Sequence, residues 1–194
     1  LFHGNDKIKP NINKAIEYFT QSANKNYALA QFNLGIIYCE GLGVYQDIKK
    51  SIYYLTQAAN QNHMESQYVL GSIYSDEKYS FININKAIKY LTLAANQNHV
   101  KAQYELGMIY IENKYISRNV KKSIHYLSLA ANQNNVNAQH NLATIYYNNE
   151  YIIRDINMAI HYFNLASNQN HLKSQFELAS IYLYGKFVQK DINQ

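Results

Sequence analysis

The chain has 194 residues, 47% of them apolar and 16% charged, with a formal net charge of +5. That content supports a folded core and excludes a disordered chain. One proline and seven glycines are too few for an all-β protein, which needs a turn signal about every ten residues.

A single cysteine, Cys39, excludes an internal disulfide framework and a cysteine metal cage. No apolar run reaches the roughly 18 residues of a membrane span, and no basic segment followed by an apolar one opens the sequence. The 26 asparagines include no Asn-x-Ser/Thr acceptor, which with the lone thiol favours a reducing, cytoplasmic setting. Because the sequence starts with Leu1 rather than Met, it is expected to be a segment of a longer protein.

Residues 1 to 10 read as the end of an earlier connection. From Asn11 the pattern becomes regular. Lys14-Ala15-Ile16 is followed by Lys50-Ser51-Ile52, Lys86-Ala87-Ile88, Lys122-Ser123-Ile124 and Met158-Ala159-Ile160, a step of 36 residues each time. No insertion interrupts five copies, which places repeat units at 11–46, 47–82, 83–118, 119–154 and 155–190 within one array spanning 1–194. Asp191-Ile192-Asn193 reads as the start of a sixth.

Each copy predicts two amphipathic helices of about 12 to 15 residues. The first, helix B, follows an N-cap residue at Asn11, Asp47, Asn83, Asn119 or Asp155. Its apolar residues recur at three- and four-residue steps, as in Ile48, Ile52, Leu55 and Ala59. The second, helix A, carries a stripe such as Ala102, Leu106, Ile109 and Tyr110. Between them sits Ala-Asn-Gln-Asn-His at 59–63 and 95–99, with close variants at 131–135 and 167–171. Asn26, Asn62, Asn98, Asn134 and Asn170 fall where a helix ending needs the left-handed conformation, so positive φ is expected there. Small residues recur at Ala30, Ser66, Ala102, Ala138 and Ser174, and at Gly35, Gly71, Gly107, Ala143 and Ala179, where neighbouring helices must approach closely. One such helix pair cannot cover its own apolar stripe, but stacked pairs bury a continuous core, which makes a helical solenoid.

The runs Ala102-Gln103-Tyr104-Glu105-Leu106-Gly107-Met108-Ile109-Tyr110 and Gly41-Leu42-Gly43-Val44-Tyr45-Gln46-Asp47-Ile48-Lys49-Lys50-Ser51 resemble the Sel-one-like repeat, a relative of the tetratricopeptide repeat. The resemblance covers residues 11 to 194. It departs from the family in having tyrosine for the helix B tryptophan and asparagine for the glycine after helix B. It implies an all-α fold, an α/α solenoid forming a right-handed superhelix of antiparallel helix pairs. It also implies a role as interaction scaffold or adaptor, in signalling or protein quality control.

Few residues invite chemistry. His63, His99 and His171 occupy one slot in different copies and are displaced by about 10 Å per repeat, whereas zinc ligands must lie within about 4 Å of one another. They cannot share a metal. His125 and His161 share another slot, and no His-x-x-x-His pair occurs. Gly41-x-Gly43 lacks the strand and third glycine of a phosphate loop. No catalytic residue, metal or cofactor is expected.

Of the twenty tyrosines, ten lie in two framework slots, 18/54/90/126/162 and 38/74/110/146/182, and are expected to pack inside the stack. A third aromatic slot on helix A holds Phe32, Tyr68, Tyr104, His140 and Phe176. In tetratricopeptide-like solenoids helix A lines the concave surface, so these residues are candidates for partner contact. Three neighbouring slots vary among copies and so are not dictated by stacking. They add Glu65 and Lys101, then Ser72 and Met108, then Ile111 and Tyr147. Together they form a mixed polar and apolar stripe suited to an extended peptide or a partner helix.

Acids gather on helix A (Glu40, Glu65, Glu105, Glu112, Glu177) and lysines on helix B, where they read as a solvated face. An acidic groove would repel a phosphate backbone. The expected partner is therefore a protein or peptide, with no small-molecule substrate and no nucleic acid in the groove. Two other readings remain beside it: a nucleic-acid-binding helical repeat using the basic outer face, and a β-lactam-binding enzyme like cysteine-rich relatives.

Overall fold

The computed structural model describes residues 11–112, 114–148 and 152–184. They form α1 (Ile12–Asn24), α2 (Ala28–Glu40), α3 (Ile48–Asn60), α4 (Met64–Ser75), α5 (Ile84–Asn96), α6 (Val100–Glu112), α7 (Val120–Asn132), α8 (Val136–Tyr147), α9 (Ile156–Ser167) and α10 (Leu172–Tyr184). No strand occurs among the described residues. Odd-numbered helices are the expected helices B and even-numbered ones the helices A. The chain falls into two compact units, one ending at Tyr90 and the next starting at Leu91, with the division inside α5. In the first, α1 packs on α2, α2 on α3 and α3 on α4; in the second, α6 to α10 pack each on the next. The expected connection at 1–10 and the sixth helix B lie outside the described residues.

Helix starts follow the sequence. Asn11, Asp47, Asn119 and Asp155 have extended backbone or lie close to it, and each accepts a hydrogen bond from the amide three residues on, at 3.0 Å. Asn83 does the same for Lys86. Each cap occupies an amide that the helix itself leaves unpaired.

The turn after each helix B has one geometry in every copy. Asn26, Asn62, Asn98, Asn134 and Asn170 all take positive φ, between 61° and 65°. In the second copy the Asn62 amide donates to the Ala59 carbonyl at 3.0 Å and the His63 amide to Ala58 at 3.1 Å. This is the paired closure that satisfies two orphan carbonyls, with the left-handed residue between them. Asparagine tolerates that conformation best after glycine.

The next residue starts helix A. His63 Nδ1 accepts from the Ser66 amide at 3.2 Å, His99 Nδ1 from Ala102 at 3.1 Å, and His171 Nδ1 from Ser174 at 3.3 Å. Asn135 Oδ1 accepts from Ala138 at 2.9 Å. The histidines are helix caps, a role their slot alone did not reveal.

Gln31, Gln67, Gln103 and Gln139 are each 1% exposed and tie this corner together. Gln31 Nε2 donates to the Ala23 carbonyl at 3.3 Å and to Asn26 Oδ1 at 3.1 Å, while its Oε1 accepts from Gln61 Nε2 of the next copy at 2.7 Å. In the second unit Gln103 and Gln139 bond the carbonyls of Ala95 and Ala131, both at 3.2 Å. Each also accepts from the glutamine of the following turn, Gln133 or Gln169, at 2.8 Å.

Mid-helix contact relies on missing side chains. A Cβ on Gly35 would lie 2.5 Å from Leu55 Cγ, and one on Gly107 equally close to Leu127 Cγ. The leucines are fully buried against these gaps.

The far end of helix A is held by tyrosine pairs. Tyr38 stacks on Tyr54, Tyr74 on Tyr90, Tyr110 on Tyr126 and Tyr146 on Tyr162, with centroids 5.9 to 6.1 Å apart and planes within 8°. Lys50, Lys86 and Lys122 lie 4.9 to 5.1 Å from the centroids of Tyr38, Tyr74 and Tyr110. These three lysines cover aromatic faces rather than forming only a solvated face, each such contact contributing about 0.5–1 kcal/mol at an exposed site. The framework tyrosines are not uniformly buried: Tyr74, Tyr110 and Tyr162 are, whereas Tyr18 and Tyr182, in the first and last described helices, are 63% and 66% exposed.

The hydroxyls of Ser51 and Ser123 are buried with no hydrogen-bond partner. Ala87 and Ala159 occupy the same slot, fully buried, in other copies. Ser123→Ala is therefore expected to raise stability by about 1 kcal/mol, read as a higher urea midpoint. Asn134→Ala keeps the Cβ at φ 61° but removes the carboxamide that lets asparagine tolerate that region, and should lose about 1 kcal/mol, while Asn134→Gly should stay within about 0.5 kcal/mol of the parent. Equal losses for Ala and Gly would sink the left-handed argument.

Candidate partner-binding surface

The aromatic slot of helix A lies next to the buried glutamine, so one edge of each ring faces the core and the other solvent. Phe32, Tyr68, Tyr104 and His140 are half-buried accordingly. Phe176, on the last described helix, is 70% exposed. In the first unit Phe32 packs on the His63 ring with centroids 4.9 Å apart, Glu65 is exposed on the first turn of α4, and Ser72 is half-buried.

The second unit brings several expected residues together. Met108 and Ile111 of α6 line a cavity of about 240 Å³ with Thr144 and Ile145 of α8. Val120 and Leu127 of α7 add apolar surface, and Glu112 and Arg118 bring charge. Asn141 also lines it, donating to Tyr104 Oη at 3.3 Å and to Met108 Sδ at 2.9 Å. One carboxamide thus joins two expected partner contacts. Arg118 is anchored through Nε to the Ile111 carbonyl at 2.9 Å.

Other expected residues have different surroundings. Tyr147 meets Phe163 edge-on at 6.4 Å, with the Arg154 guanidinium 5.0 Å from its ring centroid. His140 packs on Phe163 at 5.7 Å and on His171 at 4.7 Å, and its Nδ1 lies 3.0 Å from the buried Ser174 hydroxyl. Ser174 Oγ also bonds His171 Nδ1 at 2.9 Å. Lys101 is exposed on α6.

Asn141 and Arg118 escaped the sequence reading. Asn141 belongs to the slot 33/69/105/141/177, which reads Asn, Val, Glu, Asn, Glu. That variability, beside the aromatic slot, was the available signal. Arg118 lies in a connection, where the repeat gives no facing rule.

Among the described residues, no group of three or more His, Cys, Asp or Glu is placed to hold a metal. None of their helices is long and apolar enough to cross a membrane.

Burial lowers the His63 imidazole below its usual range, opposed by the nearby Glu65 carboxylate. His140 is lowered by burial, then by His171 and Lys173. A lowered folded value means that the unfolded chain binds more protons, so stability is full above the unfolded value of 6.5 and falls as pH drops through the folded values. Urea midpoints should decline from neutral to acid pH. His63→Asn, which installs the cap that Asn135 supplies in another copy, should flatten part of that decline. An unchanged slope would separate His63 from the pH response.

The Sel1 repeat family model matches the chain at residues 1–27, 28–63, 65–99, 100–135, 136–171 and 172–194. Its register starts at helix A, so incomplete pairs at either end count as matches and give six where five 36-residue copies are read from Asn11. A protective antigen present in uropathogenic Escherichia coli strains, with an SLR fold, is 27% identical with a TM-score of 0.75, over 88% of this chain and 37% of that one. A Sel1 repeat protein from Oxalobacter formigenes is 26% identical with a TM-score of 0.73, over 93% of this chain and 74% of that one. The chain therefore spans little more than a third of the first structure's length. No curated protein sequence matches. With the α/α solenoid of these structures, the helix pairing above is that of the same fold class.

Proposed function

Because the chain belongs to the Sel1 repeat family, whose members generally serve as protein-interaction scaffolds, we propose that it captures an extended peptide or partner helix on its helix A face. The observation that carries this reading is the cavity of about 240 Å³ beside Met108 and Ile111. Its volume suits one or two apolar side chains rather than a large cofactor, since pockets for drug-sized ligands run from about 300 Å³ upward. An apolar anchor would enter over Met108, Val120, Leu127 and Ile145, while Asn141 Oδ1 and the Thr144 hydroxyl oxygen, whose own donors are spent within the fold, supply acceptors for the chain carrying it.

This combination suits a peptide. Anchor side chains in desolvated pockets dominate binding energy, and the polar positions around them set register. Glu65 and the half-buried Tyr68 in the first unit and, independently, Lys101 and the half-buried Tyr104 in the second are positions that vary between copies, as selection of a partner sequence requires. The scaffold reading assigns the chain no reaction: binding and alignment of a partner are its work.

A peptide-display library panned on the protein tests the reading. Selected peptides should bind with Kd of about 1 μM. Met108→Lys, and the double variant Tyr68→Ala with Tyr104→Ala, should each weaken them at least about tenfold with circular dichroism unchanged. Undiminished binding would place the site elsewhere. Loss of helical signal would make the tyrosines core residues.

A further inference from the structure

We propose that the first unit carries a second site, a concavity between the ends of α1 and α3 that binds a neutral saccharide. It measures about 460 Å³, within the range of about 300–1,000 Å³ typical of small-molecule sites. Apart from Ala23, every lining residue is asparagine, glutamine or tyrosine, so no formal charge is present to select an ion.

Three of the lining carboxamides serve the fold: Gln31, Gln61 and the Asn26 oxygen form the corner ladder. Three others, on Asn24, Gln57 and Asn60, take part in no side-chain hydrogen bond among the described residues. A carboxamide offers two donors and an acceptor within one small group. Several such groups around one hollow suit a ligand whose polar atoms both donate and accept, which is the property of a sugar hydroxyl. A charged ligand would find no counter-charge among the lining residues.

Tyr53 supplies the apolar half of the match. It is 59% exposed. Its ring is held edge-on against Tyr54 with centroids 5.1 Å apart, and Tyr54 is itself stacked on Tyr38. Burial, then the neighbouring Tyr38 and Tyr53, push Tyr54 above the usual phenol range, so that hydroxyl stays neutral as well. A pyranose presents an apolar C–H face and a hydroxyl edge. A fixed aromatic ring beside amide groups complements both.

The repeat separates this hollow from the framework. Stacking does not dictate Tyr53 or Gln57, because the same slots hold Lys89 and Leu93, His125 and Leu129, and His161 and Leu165 in other copies. Those copies also supply variants that the fold already accepts. The site lies on the first unit, whereas the anchor cavity of the proposed peptide surface lies in the second, so either can fail alone.

The test is a titration of the ¹⁵N-labelled protein with cellobiose, maltose and chitobiose, observed through side-chain amide resonances. At least one disaccharide should shift the Asn24, Gln57 and Asn60 amides saturably, with Kd of about 1 mM. Tyr53→His and Gln57→Leu should each weaken that binding at least about tenfold, with all other cross-peaks in place. Absence of saturable shifts with all three sugars overturns the proposal. So does equal binding by both variants, or a response to an uncharged Gly-Ser peptide capped at both ends in place of the sugars.

Discussion

The glutamine buried at the start of four of the helices A, Gln31, Gln67, Gln103 and Gln139, is the constraint on which the array depends. Its amide group sits where water cannot reach, so every polar atom on it needs a partner or destabilises the fold by about 1–3 kcal/mol. Its donor adds a second bond to a carbonyl in the last turn of the preceding helix that already accepts from the left-handed asparagine, as Gln139 does at Ala131, which also accepts from the Asn134 amide. The acceptor meets a glutamine from the next turn, 30 residues on, as Gln139 does at Gln169. One side chain thereby joins the two helices of its own pair and the pair after it. An inserted residue in either segment would break the bond to the next copy, which gives a physical reason for a period that never slips. A carboxylate at this position would bury a charge, and a leucine would remove the acceptor that the next turn's glutamine meets.

The opposite end of helix A is tied by contacts of another kind. There the amides of Asp47, Asn83, Asn119 and Asp155 reach back to tyrosine carbonyls, Asn119 to Tyr110 at 2.7 Å for example, and the same tyrosines stack on the following helix B. Hydrogen bonds at one end and ring faces at the other leave the centre to Gly107 against Leu127 and its equivalent Gly35 against Leu55. With both ends and the middle of each helix fixed, the remaining positions on helix A can change without loosening the stack. The hollow beside Met108 is bordered by such positions, Met108 and Thr144 belonging to one variable slot and Ile111 to another.

Local signals were legible in the sequence and long-range partners were not. The caps that open each helix B, at Asn11, Asp47, Asn83, Asn119 and Asp155, and the left-handed asparagines each depend on a few adjacent residues, and the structure has them where the pattern puts them. Periodicity also located the aromatic slot of Tyr104. It could not show that Asn141, 37 residues away, bonds the Tyr104 hydroxyl, because a repeat aligns equivalent positions and says nothing about pairs between unlike slots. Lys50 is exposed as its charge pattern implied, but its contact was hidden for the same reason: twelve residues separate it from Tyr38, and a charge pattern carries no record of a ring on another helix. The helical wheel placed Tyr147 in a slot beside the aromatic one, and could not show that its ring meets Phe163 of the following helix.

The pentapeptide Ala59-Asn60-Gln61-Asn62-His63 shows how little of a copied motif is ornamental. Gln61 reaches the previous copy, Asn62 turns the chain, and His63 caps the next helix. Ala59 leaves room for Gln67 to reach its carbonyl. Only Asn60 has no side-chain partner in the corner, although asparagine recurs at 24, 96, 132 and 168. A residue copied five times without a side-chain bond among the described residues is available to groups outside them. In the first unit that availability coincides with Tyr53 and Gln57, a pairing no other copy carries. The same corner that fixes the spacing of the repeats thus presents uncommitted amides at one edge, and variation at two adjacent slots decides whether they gather into a hollow.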